Sequence, residues 1–253
     1  MSRSGIATMS NYEFCAQWTI ERITAPEVRV LDYGCGAGET IDLLRVQEIA
    51  AFGCDMFYEA TDYPEIEAAD IFGTRILKMV DGKIPFSDNY FDFVVSNQVI
   101  EHVEDLELTL TEFQRVLKPG GQILNIFPDK SIWKEAHCDI PFLHWFPKGN
   151  NQLRVYYALL LRSLGLGSFK GDKSPLQWSQ DTCEWIDKWT HYRNSNEIDR
   201  QYNRHFQEVQ SIEAEWLQQR LGSRHRWISW LPESLRQALA IKLAGRVIVA
   251  RNR

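Results

Sequence analysis

Three glycines spaced two residues apart, Gly34, Gly36 and Gly38, constrain the fold of this chain more than any other feature of its sequence. They follow a short apolar segment, 28–32, that predicts a β-strand, and they precede a segment, 39–46, with a helical pattern. A strand, a glycine-rich turn and a helix in this order form the first half of a βαβ unit, whose strands run parallel. The sequence therefore predicts a parallel sheet with helices packed on it.

Further strands follow the glycine turn at regular intervals, and a helix at 11–22 with Asn11 as its N-cap precedes it. The pattern of 105–117 predicts an amphipathic helix. The predicted strands that follow the turn are 50–55, 75–80, 91–96 and 122–127. Strands that alternate with helices at this spacing predict a doubly wound α/β sheet.

The pattern changes after residue 128. Helices are predicted at 153–164, at 179–189 and from 197 to 221, and a last strand with a β-branched centre is predicted at 246–251. We therefore predict three parts. A core spans residues 1–128, a mostly helical insertion spans 129–205, and C-terminal helices and strands in 206–253 complete the core.

Residues around the glycine turn predict a bound ligand. Asp55 ends the second predicted strand, 17 residues after Gly38, where an acid can accept hydrogen bonds from both hydroxyls of a ribose. The dinucleotide pattern G-x-G-x-x-G would need a glycine at position 39, which is Glu39 here. A carboxylate at a helix N-terminus repels a pyrophosphate and favours a ligand that carries positive charge.

The segment 30–38, with the sequence VLDYGCGAG, resembles the first motif of class I S-adenosylmethionine-dependent methyltransferases. Four more segments resemble later motifs of that family, in the family's order and spacing: 53–55 (GCD), 81–86 (DGKIPF), 91–103 (FDFVVSNQVIEHV) and 117–121 (LKPGG). The resemblance covers residues 28–128. It implies a Rossmann-like sheet of seven strands whose last strand, 246–251, is antiparallel, and we expect the sixth strand near 226–229.

The resemblance also implies S-adenosyl-L-methionine as the cofactor and S-adenosyl-L-homocysteine as the product. The glycines would pass close to the methionine part of the cofactor, Asp32 would lie near its amine, and Asp55 would bind the ribose hydroxyls. Asp81 would accept a hydrogen bond from the adenine amino group. The cofactor-binding residues that we expect are Asp32, Gly34, Cys35, Gly36, Gly38, Asp55, Met56, Asp81, Gly82, Asn97 and Gln98.

The sequence excludes some methyl acceptors and leaves others open. N-methyltransferases of adenine and cytosine carry [DNS]-P-P-[YFW] after the fourth strand, where this chain has NQVI at 97–100, and no Pro-Cys nucleophile for cytosine C5 occurs. A hydroxyl acceptor needs a positioned base. The candidates are His137, His102, His144 and Asp139, with His137 as the first choice. For His102, a structural role at the entry of a helix is the alternative.

Two classes of hydroxyl acceptor remain. Residues 137–166 resemble uncharacterised bacterial methyltransferases of surface-polysaccharide biosynthesis, so O-methylation of a sugar, with an acidic sugar included, is the first hypothesis. Its predicted substrate-binding residues are Trp133, Trp145, Lys148 and Arg154, because indole rings stack on sugars and cationic side chains bind carboxylates.

The alternative acceptor is a quinone-like or other aromatic metabolite. Glu101 and His102 resemble the end of a divalent-metal pattern, E-x-x-E-H, of quinone-biosynthesis O-methyltransferases. Since the first Glu of that pattern is Gln98 here, we expect no metal ligands. A cofactor-binding scaffold protein is the alternative outside the enzymes.

Charge and tryptophan are unevenly distributed along the chain. Residues 1–128 carry 9 Lys and Arg against 21 Asp and Glu, a net charge of −12, whereas residues 129–253 carry 19 against 13, a net of +6, and eight of the nine Trp. We interpret the basic part as the layer that binds the acceptor, a small molecule or a glycan; helix packing and peripheral membrane contact through 224–242 are the alternatives. Nucleic acid is disfavoured because the whole chain carries −6.

The remaining counts bear on the compartment of the protein. The five cysteines include no CxxC pair, which disfavours both a disulfide framework and a structural zinc site. Neither a signal-peptide core at the start nor an apolar run of 18 residues occurs. We therefore expect a cytoplasmic protein, and the oligomeric state stays open.

Overall fold

The computed structural model of the chain describes residues 9–57, 71–149, 151–222 and 230–253. Its strands form a single seven-stranded sheet in the order β3-β2-β1-β4-β5-β7-β6. The strands are β1 (Arg29–Tyr33), β2 (Ala50–Asp55), β3 (Ile76–Lys78), β4 (Phe91–Asn97), β5 (Leu117–Phe127), β6 (Gln207–Ser211) and β7 (Arg246–Arg251). Strands β1 to β5 pair in parallel, and β7 is antiparallel to both of its neighbours. The predicted α/β class, the seven strands and the antiparallel last strand are confirmed.

Helices cover both faces of this sheet. They are α1 (Asn11–Ile20), α2 (Glu39–Arg45), α3 (Leu106–Val116), α4 (Gln152–Ser163), α5 (Pro175–Trp189), α6 (Ser195–His205), α7 (Glu213–Leu221) and α8 (Glu233–Ala244). Among the described residues, none of these helices is both long and apolar enough to cross a membrane.

Successive side chains of the central strands point to opposite faces of the sheet, as the pleat requires. Val30 therefore packs with Trp18 and Ile41 in one apolar core, whereas Leu31 packs with Phe113 in another. These two cores hold the helices on the two faces. The sheet thereby presents the carboxyl ends of its parallel strands along one edge.

A third, smaller apolar core lies within the part of the chain between β5 and β6. Ile140, Trp178 and Ile186 pack there around the fully buried Ala158. This cluster joins α4 to α5 and to the segment that follows β5. The insertion after β5 is thus mostly helical as predicted, while its bounds at 129 and 205 stay a prediction.

One predicted helix is wrong in part. The segment 197–221 forms α6, then the strand β6, then α7, rather than one continuous helix. The polar sequence of β6 resembles a solvated helix, but its backbone pairs with β7 at the edge of the sheet. This strand is the sixth along the chain and lies at the edge of the sheet next to β7. The segment 226–229, where we expected the sixth strand, lies outside the described residues.

The start of α1 also differs from the prediction. Ser10, not Asn11, is the N-cap: its hydroxyl accepts a hydrogen bond from the backbone N of Glu13 at 3.1 Å, and the Glu13 carboxylate accepts one from the backbone N of Ser10 at 2.6 Å. This reciprocal pair is a capping box, which satisfies two free donors of the first turn. The side chain of Asn11 can therefore bond to residues that are distant in the sequence.

A buried ion pair ties the last strands to the insertion. Arg246, 3% exposed, donates from Nε to Glu213 at 2.9 Å and from Nη2 to Asp199 at 2.7 Å and Ser211 at 3.0 Å. These three partners lie on α7, on α6 and at the end of β6. Because the Glu213 side chain is fully buried, its charge depends on this guanidinium.

We expect Arg246→Met to lower the free energy of unfolding by about 3–5 kcal/mol, because it leaves the carboxylate of Glu213 buried without its charged partner. Arg251→Met is the matched control, since the ion pair of Arg251 with Glu208 is exposed and is worth at most about 1 kcal/mol. Urea denaturation followed by tryptophan fluorescence measures both changes. Equal losses in the two variants would contradict the structural role of the buried pair.

Candidate functional site

The glycine turn between β1 and α2 is packed against the end of β4. Gly34 has a φ of +73°, and a Cβ placed on it would lie 2.2 Å from a methyl carbon of Val99. Gly36 has a φ of +50°, and no described atom lies within 4 Å of the place where its Cβ would be. The turn is therefore packed against Val99 at Gly34, whereas at Gly36 it borders open space.

Asp55 ties this turn to the end of β2. Its Oδ2 accepts a hydrogen bond from the backbone N of Gly36 at 3.0 Å, and its Oδ1 accepts one from the backbone N of Phe57 at 3.0 Å. A carboxylate offers about four lone-pair sites, so both oxygens keep capacity for a ligand. The turn and Asp55 thus form one unit with acceptors available.

The floor of the turn is acidic. Asp32 is 4% exposed at the end of β1, and its burial raises the pKa of this carboxyl to about 8, to which the neighbouring carboxylates of Asp55 and Glu39 contribute. Burial and the carboxyl groups of Glu39 and Asp32 also raise the pKa of Tyr12 on α1. Such a concentration of carboxyl groups is suited to a ligand with positive charge.

The amide side chain of Asn97 joins the end of β4 to α1. Its Oδ1 accepts a hydrogen bond from Asn11 Nδ2 at 2.9 Å. The Oδ1 of Asn11 in turn accepts from Trp216 Nε1 at 3.1 Å and from Arg220 at 2.6 Å. The start of α1 and the helix α7 therefore lie at the same edge of the sheet as the glycine turn.

The predicted cofactor residues thus meet at the carboxyl ends of four adjacent parallel strands. Asp32 lies in β1, Asp55 ends β2 and Asn97 ends β4, while Asp81 and Gly82, both with positive φ, form the turn after β3. The remaining ones lie beside them: Cys35 is buried, and Met56 and Gln98 are half-buried. In open α/β sheets, ligands bind at this edge, where the strand order reverses between β1 and β4.

Two histidines face each other at the side of this edge. The Nε2 atoms of His102 and His137 lie 3.2 Å apart. The Nδ1 of His102 donates to the carbonyl of Trp189 at 2.6 Å, and the Nδ1 of His137 donates to Glu135 Oε1 at 2.8 Å. Both partners are acceptors, so each Nδ1 carries the proton in neutral imidazole. The two Nε2 lone pairs then point toward each other, an arrangement that favours a proton or a cation between them.

Glu135 fixes the orientation of His137. Its carboxylate is fully buried and also accepts hydrogen bonds from the hydroxyl of Tyr192 at 2.6 Å and from the backbone N of Cys138 at 2.7 Å. Although burial opposes it, the hydrogen bonds from His137 and Tyr192 lower the pKa of Glu135 to about 2. This carboxylate is therefore ionised and holds the imidazole ring in one tautomer.

The surroundings of the histidine pair are partly apolar and partly acidic. The half-exposed indole of Trp185 lies 4.9 Å from the ring of His137. Burial raises the pKa of the adjacent Glu101 carboxyl to about 8. Burial also lowers the pKa of His102, and the carboxylate of Asp55 is among the charges that oppose this shift. Burial therefore favours the neutral form of His102.

The two other predicted bases lie outside the pair. His144 is 5% exposed, its ring packs 4.8 Å from that of Tyr192, and burial lowers its pKa. Asp139 accepts hydrogen bonds from Lys134 at 2.6 Å and from Ser168. The structure thus brings His102 and His137 together. His144 instead packs against Tyr192, and Asp139 bonds to Lys134 and Ser168.

The predicted acceptor-binding residues divide into two groups. Trp133 and Trp145 are each nearly half exposed. Lys148 donates to the carbonyls of Asp187, at 3.1 Å, and Thr190. Arg154 is 2% exposed and bonds to the Asp187 carboxylate at 2.7 Å. Its charge is therefore used to join α4 to α5, and contact with a substrate would require this pair to open.

Sequence reasoning missed three members of the site: Glu135, Tyr192 and Trp185. Glu135 lies two residues before His137, and this E-x-H spacing is the one local signal that could have indicated a carboxylate beside the histidine. Trp185 reaches the cluster from α5, and Tyr192 reaches it from the segment after α5. No local pattern indicates such contacts.

Comparisons with known proteins concern the same strands and turns. Residues 31–125 match a family model described as a methyltransferase domain. An uncharacterised methyltransferase of Schizosaccharomyces pombe is 32% identical over 122 residues, 44% of this chain and 43% of that protein. A ubiquinone biosynthesis O-methyltransferase of Bartonella bacilliformis is 25% identical over 139 residues, 51% of this chain and 54% of that protein. The chain thus spans about half the length of these curated relatives.

A solved structure extends the comparison to nearly the whole chain. An S-adenosylmethionine-dependent methyltransferase from Mesorhizobium loti superposes with a TM-score of 0.52 over 95% of this chain and 100% of that chain, at 16% identity. At this level of identity, the likeness shows a shared fold.

The contact between Gly34 and Val99 gives a test of the turn. We expect Gly34→Ala to cost about 1–3 kcal/mol more in free energy of unfolding than Gly36→Ala, because only the first added methyl overpacks the interior. Both variants carry the strain of a left-handed backbone, so Gly36→Ala is the matched control. Chemical denaturation measures the difference, and equal stabilities would show that the turn is not packed as described.

Proposed function

We propose, from the premise that residues 31–125 form a class I S-adenosylmethionine-dependent methyltransferase domain, that this chain transfers the methyl group of that cofactor to a hydroxyl oxygen. The first acceptor candidate is a hydroxyl of a carbohydrate, with an acidic sugar of a cell-surface glycan as its most specific form. The observation that carries the proposal is the histidine pair, held by Glu135 and Trp189, in which His102 follows β4 at the strand edge that also carries the acidic glycine turn.

The cofactor carries its methyl group on a positively charged sulfonium, which makes that group electrophilic without help from the protein. The chain's task is to hold it. Asp55 has free lone pairs for the ribose hydroxyls, and Gly36 leaves open space beside them. The carboxyl groups of Asp32 and Glu39 favour the cationic methionine part. Asp81 and Asn97 are proposed for the two ends of the cofactor, the adenine and the amino acid.

A sugar hydroxyl must lose its proton as the new bond forms. The converging Nε2 atoms of His102 and His137 offer the place where that proton is held. Glu135 keeps the His137 ring oriented, as a carboxylate does for the imidazole of a catalytic triad. The exposed indoles of Trp133 and Trp145 support a carbohydrate, because aromatic faces stack on sugar rings.

The second candidate is O-methylation of a quinone-like or other aromatic metabolite. It is favoured by one comparison, since a relative that matches half of this chain is a ubiquinone biosynthesis O-methyltransferase. The half-exposed Trp185 ring beside His137 suits an aromatic acceptor as well. Outside the enzymes, a scaffold that binds the cofactor without transfer is the alternative. Peripheral membrane contact through 224–242, of which 224–229 lie outside the described residues, also stays a proposal.

The cofactor site is tested with Asp55→Asn. We expect the dissociation constant for S-adenosylmethionine to rise about 10- to 100-fold, because the variant loses a charged acceptor of hydrogen bonds worth about 1.5–3 kcal/mol. Asp88→Asn, which removes an exposed carboxylate paired with Arg115, is the control. Calorimetric titration measures both. Unchanged affinity in Asp55→Asn would remove its assigned role, and no binding by the unaltered chain would remove both enzyme proposals.

The acceptor site is tested with His137→Ala. We expect kcat to fall about 10²- to 10⁴-fold, the usual contribution of a positioned base, with little change in cofactor affinity. His191→Ala, a partly exposed histidine outside the pair, is the control. Transfer of labelled methyl is measured to a uronic acid glycoside and to a catechol. Full activity of His137→Ala would discard this base, and turnover of the catechol alone would favour the second candidate.

A further inference from the structure

We propose that Glu101, His102 and His137 form a binding site for one divalent transition-metal ion of the zinc type. The sequence groups only Glu101 and His102, and we expected no metal ligands there because Gln98 replaces the first Glu of the pattern; His137 lies 35 residues beyond this pair. The fold brings one ligand atom from each of them within 4.8 Å of the others.

The spacing of the two ring nitrogens fits a metal ion. The Nε2 atoms of His102 and His137 are 3.2 Å apart. Zinc binds histidine nitrogen at about 2.0–2.1 Å with tetrahedral geometry, so two such ligands are about 3.3 Å from each other. The imidazoles therefore stand at the separation that a shared tetrahedral ion requires.

Both imidazoles are also oriented as metal ligands usually are. A histidine that binds metal through one nitrogen commonly donates its other N–H to a carboxylate or a backbone carbonyl, which fixes the ring and its tautomer. His102 donates to the carbonyl of Trp189 at 2.6 Å, and His137 donates to the carboxylate of Glu135 at 2.8 Å. Each Nε2 lone pair is thereby directed into the cluster.

Glu101 supplies the observation that separates a metal ion from a proton. Its side chain is 1% exposed, and within the described parts of the chain neither carboxylate oxygen has a hydrogen-bond partner on another residue. A buried carboxyl without a partner is costly. A proton shared between His102 and His137 would satisfy the two nitrogens but would leave Glu101 without a partner. A divalent cation satisfies all three groups.

The ligand set indicates which ions fit. Imidazole favours zinc, iron and the other later transition metals, whereas calcium and magnesium favour sites made of oxygen ligands alone. Three protein ligands leave a coordination position for a molecule from outside, as in catalytic zinc sites with two histidines and one glutamate. Only the use of this position depends on the proposed function. With the ion bound, the Nε2 atoms of His102 and His137 are metal ligands and no longer hold the hydroxyl proton, and an acceptor hydroxyl bound at the open position would lose its proton to solvent more readily. Metal binding itself does not depend on methyl transfer.

The test uses the full chain after treatment with a chelator. Calorimetric titration with Zn²⁺ is expected to show one ion per chain, and Co²⁺ is expected to give the visible absorption bands of tetrahedral coordination without a thiolate charge-transfer band. The second readout excludes binding at the five buried cysteines. It also requires no variant, so it remains decisive where a substitution prevents folding.

Glu101→Gln, His102→Gln and His137→Gln are each expected to weaken Zn²⁺ binding by about 100-fold or more, since removing even a residue behind the ligands typically costs 10- to 100-fold. His191→Gln is the control, and circular dichroism establishes that each variant is folded.

The proposal is overturned if the unaltered chain binds no Zn²⁺, if Co²⁺ shows thiolate coordination, or if the three variants bind as tightly as the control. Methyl transfer that persists in chelator while Zn²⁺ fails to bind would overturn the metal site alone. Zn²⁺ binding without transfer to any acceptor would count against the proposed function alone.

Discussion

The close approach of Gly34 to Val99 sets the geometry on which the rest of the site depends. With no side chain at Gly34, the turn after β1 lies directly against the end of β4, where a Cβ would come within 2.2 Å of Val99. Glu101 and His102 follow Val99 in a short 3₁₀-helix. The contact therefore holds the turn against the segment that carries His102, while the hydrogen bond from the backbone N of Gly36 to Asp55 holds the turn at the end of β2.

The insertion after β5 supplies the side chains that surround His102. It brings His137 against His102, supplies Glu135 and Tyr192 to orient the ring, and places the Trp189 carbonyl against the other imidazole. The acidic part of the chain thus contributes the turn and one histidine, and the basic part contributes the second histidine and its supports. The two parts of opposite net charge thus each contribute one histidine of the pair.

Local motifs made the sheet and the glycine turn predictable, because parallel strands end at one edge whatever helices cover them. Asp55 and Asn97 could be placed for this reason. β6 could not, since its polar sequence resembles a solvated helix and only pairing with β7 makes it a strand. Arg154 was expected to bind the acceptor because it is cationic, yet its charge is neutralised inside by Asp187 from another helix. Contacts between distant segments decide such cases.

The acids of this site are arranged so that negative charge is balanced before a ligand arrives. Burial raises the pKa of both Asp32 and Glu101 to about 8, so near neutral pH each carboxyl is largely protonated and no buried charge stands alone. A cation placed beside either one stabilises the carboxylate and displaces the proton. Glu135 differs, because hydrogen bonds from His137 and Tyr192 keep it ionised at all times. The site therefore contains one carboxylate, Glu135, that is ionised and orients the ring of His137. It also contains two carboxyl groups, Asp32 and Glu101, whose ionised forms a positively charged ligand would stabilise.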